Sequence, residues 1–161
     1  MPKLRDLLIE VKLGNPRTFL QSGNVVFTST SANTSSLERK LEIATEKRFG
    51  FCPTYTLRGQ RELDSAIAGN PFPKEARSDP SHLVMLFPKT AVSAKTVTRL
   101  RTAIRGREVV AGEGRALYLY FPDGIGPSKL TPAIVEKTLG TPATMRNWNT
   151  VTKLSALAAN G

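Results

Sequence analysis

The chain has 161 residues, 40% hydrophobic and 22% charged, enough to bury one core or two small ones without covalent staples. Its single cysteine, Cys52, and single histidine, His82, exclude a disulfide framework, a cysteine-based zinc site and a multi-histidine metal centre. The formal net charge of +10 is uneven: residues 1–80 carry 12 basic against 9 acidic side chains and residues 81–161 carry 11 against 4, so the halves differ as +3 and +7.

In chain order, Leu4, Leu7, Leu8 and Val11 recur at helical spacing between Pro2 and Gly14, which predicts a first helix. Thr18-Phe19-Leu20 and Val25-Val26-Phe27 are β-prone runs separated by Gln21-Ser22-Gly23-Asn24, whose glycine and asparagine suit a tight hairpin. A polar stretch leads to Leu37, Leu41, Ile43 and Ala44, predicting a second helix that ends at Gly50. Residues 51–57 read as a strand and 60–68 as a short helix stopped by Gly69-Asn70-Pro71. Pro71, Pro73 and Pro80 mark 71–80 as a linker. Beyond it, 82–87 is a predicted strand, 93–105 a helix, and 108–110 and 116–121 are strands around Gly112-Glu113-Gly114. Helices are expected over 130–139 and 151–159, with a short strand at 143–145 between them.

Aligned on their hairpins, the two halves repeat one order, strand-helix-strand-strand-helix-strand, except that the first lacks its opening strand. The expected fold is therefore α+β: a tandem pair of ferredoxin-like (split βαβ) units over 1–70 and 81–161. In that plan the opening strand sits mid-sheet, so its loss leaves a gap between Val25–Phe27 and Cys52–Leu57 and an open edge suited to strand exchange.

Three segments carry a resemblance: Thr18–Phe27 (TFLQSGNVVF), Gly124–Thr131 (GIGPSKLT) and Pro142–Val151 (PATMRNWNTV). Together they resemble the bacterial family known as domain of unknown function 1697. The resemblance implies a tandem α+β fold with no established activity. It also implies an additional opening strand and glycine-rich loop, so that this chain begins inside the helix that follows and reads as a copy truncated at its start.

The chemistry-bearing residues sit mostly in the basic half. Gly124, Gly126, Ser128 and Lys129 precede a predicted helix, where free N–H groups and the helix dipole favour an anion, although the P-loop spacing is absent. The competing reading is a proline-terminated turn with Ser128 as helix cap and Lys129 on the surface. Arg146 and Asn147 precede the last helix; Asn149 reads as its N-cap and Trp148 as a core anchor, leaving Arg146 as a planar fork for phosphate or carboxylate. Gln21, Ser22 and Asn24 form a secondary cluster that the hairpin largely accounts for. Cys52 reads as a buried small hydrophobe, and His82 has no evident carboxylate partner.

These residues point to a module binding a phosphorylated small molecule or another anion, with no motif that names a cofactor or a metal. Lys95, Arg99, Arg101 and Arg105 on one helix support the alternative of nucleic acid, and Tyr118 with Tyr120 on one strand face are the nearest approach to a stacking platform. An enzyme acting on a phosphorylated substrate is a further alternative, without a visible base–nucleophile pair, as is a truncated, non-functional copy. No apolar run approaches the roughly 20 residues of a membrane helix and residues 1–10 lack a secretory signal, which points to a cytoplasmic location.

Overall fold

In a computed structural model, residues 2–19 and 23–161 are described. They form a mixed α+β protein with seven helices and two antiparallel sheets. The chain divides into two compact units, Met1–Asp64 with Lys153–Gly161, and Ser65–Thr152. The segment read as a linker over 71–80 instead carries a short helix inside the second unit, and the last residues group with the first unit.

Unit 1 contains α1 (Pro2–Glu10), β1 (Gly14–Phe19), β2 (Asn24–Thr28) and α2 (Thr34–Phe49), with α3 (Gln60–Ala68) starting in it. β1 and β2 pair antiparallel from Gly14↔Thr28 to Phe19↔Asn24, with a register shift between Gly14 and Arg17. Gly23 has φ +81, as the hairpin reading requires, while Leu20, Gln21 and Ser22 lie outside the described residues. Helix α1 closes with Leu13 N–H bonded to the Leu8 carbonyl and Lys12 N–H to that of Ile9, and Lys12 takes φ +64. This is a Schellman ending with lysine where glycine is usual. Helix α2 starts at Asn33, whose side chain accepts from Ser36 N–H, and stops at left-handed Gly50.

The strand expected over 51–57 does not join a sheet among the described residues. Its chain runs along α2, where Glu38 Oε1 accepts from Leu57 N–H at 2.7 Å and Glu42 Oε1 from Tyr55 N–H at 3.1 Å. Thr45 Oγ1 donates to the Leu41 carbonyl and lies 2.9 Å from the Tyr55 hydroxyl. Residues 38, 42 and 45 share one helix face, so α2 supplies acceptors that a neighbouring strand would otherwise offer. The core here comprises Leu8, Leu13, Leu37 and Leu41, flanked by partly buried Val25, Phe27, Tyr55 and Leu57. Ile43, expected inside, is 56% exposed, and Glu38, expected outside, is 4% exposed.

Unit 2 contains α4 (Pro73–Ser78), β3 (Leu83–Pro88), α5 (Ala94–Ala103), β4 (Val109–Glu113), β5 (Ala116–Tyr120), α6 (Pro132–Leu139), β6 (Ala143–Asn147) and the start of α7 (Trp148–Ala159). The sheet order is β4-β5-β3-β6, all antiparallel, so β3 is central and β4 and β6 are the edges. β3 is buried at every position, as its unbroken apolar run Leu-Val-Met-Leu-Phe demands. Val84, Leu86, Leu117 and Leu119 pack with Val97 and Leu100 of α5 and Val135 and Leu139 of α6 in a core of twelve buried residues. On the other face Tyr118 donates its hydroxyl to the Ala66 carbonyl, and Tyr120 stands 6.4 Å, centroid to centroid, from the Phe72 ring.

Candidate functional site

Residues 121–131 leave the end of β5 and lead to α6. Phe121 N–H bonds the His82 carbonyl and Gly124 N–H the Phe121 carbonyl, which ties this loop to the start of β3. Gly124 has φ +90, and a Cβ there would sit 3.8 Å from His82 Nε2. Ser128 N–H closes a turn on the Ile125 carbonyl. The backbone N–H groups of Ile125, Gly126 and Lys129 make no hydrogen bond among the described residues.

The Ser128 side chain is occupied. Its hydroxyl donates to Glu108 Oε1 at 2.6 Å and accepts from Leu130 N–H at 3.0 Å. Thr131, rather than Ser128, caps α6 by accepting from Ile134 N–H, with Pro132 at the first helical positions. Lys129 is exposed, with no ion pair among the described residues. A bidentate pair between Arg107 and Asp123 braces the loop, and hydrogen bonding to that guanidinium holds the Asp123 carboxyl below its usual range. Asp123, on the loop, is thus engaged by Arg107, and Glu108 is engaged by Ser128 through Oε1 while its Oε2 is buried without a partner among the described residues.

His82, which showed no partner in the sequence, has one three residues upstream. Its Nδ1 lies 3.0 Å from Asp79 Oδ2, and the Tyr120 hydroxyl donates to the same oxygen at 2.9 Å. The hydrogen bond from Tyr120, followed by that from His82, lowers the Asp79 pKa against the opposing effect of burial. An ionised Asp79 sets the tautomer with the proton on Nδ1, which leaves Nε2 as the ring atom beside Gly124. The missed signal was the Asp-Pro-Ser-His turn, closed by His82 N–H on the Asp79 carbonyl.

Arg146 is positioned by a different edge of the sheet from the one that anchors Ser128. It pairs with Met85 on edge strand β6, whereas Glu108, the anchor of Ser128, immediately precedes the opposite edge β4. Three strand spacings of about 4.8 Å separate those edges, roughly 14 Å. Arg146 also shares the Met85–Tyr118 face, opposite the one covered by α5 and α6. Its guanidinium donates to the Met145 carbonyl, and burial lowers its pKa. Asn147, not Asn149, caps α7 by accepting from Thr150 N–H, and Trp148 is only partly buried.

Of the secondary cluster, Asn24 is buried at the start of β2, and Gln21 and Ser22 lie outside the described residues. Cys52 is exposed rather than buried, because its segment joins no sheet. Lys95, Arg99, Arg101 and Arg105 are all exposed on or just after α5. Tyr118 is 6% exposed, and both tyrosine hydroxyls are hydrogen-bonded within the unit, so this pair presents no stacking platform. No group of three or more metal-ligating side chains occurs among the described residues, and no described helix is long and apolar enough to cross a membrane.

The molecule is thus an α+β protein of two antiparallel sheets, with a glycine-containing loop carrying Lys129 at one end of the larger sheet. A family model described as a protein of unknown function (DUF1697) matches residues 1–118, and the chain belongs to that family. Among solved structures it is similar to the conserved bacterial protein SP0830 from Streptococcus pneumoniae, with a TM-score of 0.76 and 18% sequence identity. That match covers 98% of this chain and 88% of the other, and it speaks for the fold alone. No curated protein matches.

Proposed function

We propose that the protein is an anion-binding module of the cytoplasm whose ligand, a phosphorylated or carboxylated small molecule, seats on the 124–129 loop of unit 2. The observation that carries this reading is the set of N–H groups at Ile125, Gly126 and Lys129 without hydrogen bonds among the described residues. Such groups in a glycine-rich turn form a concavity for an anion. The exposed Lys129 ammonium adds a point charge, and the loop's own carboxylate, Asp123, is neutralised by Arg107. We also infer that both units are variants of one split βαβ plan, with the counterparts of β3 and β6 both absent as paired strands from unit 1 among the described residues.

Titration of the full chain with inorganic phosphate and pyrophosphate, followed in amide spectra, tests the site. The Gly126 and Lys129 amides should shift together, and Lys129→Ala should weaken binding about tenfold, or 1.4 kcal/mol. Higher salt should weaken it further. Arg146→Ala should leave the affinity unchanged; an equal loss there would restore the pairing of Lys129 with Arg146 drawn from the sequence. Loss only on replacing Lys95, Arg99, Arg101 and Arg105, with a nucleic acid probe, would move the function to α5. Absence of any shift in the loop amides would end the proposal.

A further inference from the structure

Unit 1 holds an open groove of about 600 Å³ that the loop reading does not use. Its walls come from α1, the turn that follows, the start of β1 and the last two residues, Asn160 and Gly161. Two guanidinium groups line it, Arg5 and Arg17, and the one negative group among its lining residues is the α-carboxylate of Gly161, which forms no ion pair with either among the described residues. Arg5 is exposed with no hydrogen bond or ion pair among the described residues. Arg17 is held in place by one bond, Nη2 to the Leu157 carbonyl at 2.6 Å, which leaves most of its five donors available.

The rest of the lining is of a different kind. Ile9, 53% exposed, Leu13 and Pro16 form an apolar wall, and Asn15 contributes an amide. An isoleucine this exposed beside two arginines suits a ligand with one charged end and one greasy end. The backbone there is also unusual, since Lys12 and Asn15 both adopt positive φ, +64 and +46, the only non-glycine residues to do so among those described. Those two left-handed residues set the bend that places Pro16 and Arg17 opposite α1.

We infer that this groove is a second binding site, for a small organic anion whose carboxylate or phosphate head meets Arg5 and Arg17 and whose apolar body lies on Ile9, Leu13 and Pro16. Planar guanidinium groups match both kinds of head, so the shared chemistry is an oxyanion on a hydrocarbon. The site is separate in sequence and in unit from the 124–129 loop.

Hexanoate, phenyl phosphate and inorganic phosphate are the probes, titrated into the full chain and followed by backbone amide and arginine Nε–H signals. At least one of the two organic anions should shift Asn15 and Arg17 with a Kd on the order of 1 mM, the range for a probe this small. Arg5→Ala, an exposed change verified by an unaltered melting curve, should weaken binding fivefold or more. Ile9→Ser should weaken the organic anion while leaving inorganic phosphate unaffected. Lys129→Ala should change nothing at the groove, which keeps its outcome distinct from that of the loop. The stronger organic probe identifies the head. Binding indifferent to Arg5→Ala, an inorganic phosphate that binds as tightly as phenyl phosphate, or no shift of the Asn15 and Arg17 signals would overturn the inference.

Discussion

Unit 2 secures its extended segments with a four-stranded ladder, whereas unit 1 secures one of its extended segments with the side chains of a helix. β3 is bonded on both sides and buried throughout, over a core of twelve residues. Residues 51–57 instead rest their backbone on Glu38 and Glu42, beside a core of four. A ladder distributes its support over every second residue and excludes water. Two carboxylates concentrate it at two N–H groups, so unit 1 depends far more on single side chains. Its opening should accordingly need less energy than that of the sheet in unit 2.

The largest effect expected is in the sheet of unit 2. Leu119→Ala removes a fully buried side chain from the β5 layer and should cost about 3–5 kcal/mol in urea unfolding. Amides of β3 should exchange only with global unfolding while those of β2 exchange through local opening; equal protection in the two would break the contrast. Next is Glu38→Ala, which takes away the acceptor 2.7 Å from Leu57 N–H. Its cost should be about 1–3 kcal/mol, with Glu38→Gln restoring part because an amide oxygen still accepts. A loss below about 0.3 kcal/mol would show that the carboxylate supports nothing.

A smaller change, of opposite sign, is expected at the end of α1. Lys12→Gly relieves a left-handed lysine in a Schellman ending and should stabilise unit 1 by about 1 kcal/mol. Destabilisation would mean that the lysine side chain holds the turn. The smallest effect concerns pH. Because hydrogen bonding lowers the Asp79 pKa below 3.8 in the folded chain, its contribution is present above that value and is lost as pH falls through the folded pKa. The melting temperature of Asp79→Asn should therefore fall less steeply below about pH 4 than that of the wild type. Parallel curves would show that the His82–Asp79–Tyr120 group adds nothing to unit 2.

Elements announced by their own periodicity were legible in the sequence. The apolar stripe of α1, strand β2, the apolar run of β3 and Gly50 at the end of α2 stand where local chemistry places them, whereas β1 begins at Gly14, four residues before the β-prone run that announced it. What failed was whatever depended on a distant partner. Residues 51–57 have the composition of a strand, yet strand formation needs a neighbour to bond, and here α2 provides the acceptors instead. Glu38 looked solvated because its charge is visible in sequence and its backbone partner is not. The loop at 124–129 was recognisable from its glycines, but the place of Arg146 on edge strand β6 follows from strand order, which sequence spacing does not encode. The Asp79–His82 pair was within reach, since a turn spanning three residues is local. The groove beside α1 was not, because its two arginines lie on separate elements.

The absence of ladder bonds along 51–59 leaves Cys52 at the surface, the one thiol in the chain. A maleimide dye therefore attaches at a single known point, on the segment whose support differs most from that of the second unit. Its emission reports motion of that segment without engineering a new cysteine. In air the same exposure has a practical cost: two molecules can join through Cys52, so a slow rise in apparent mass that a reducing agent reverses is expected on storage.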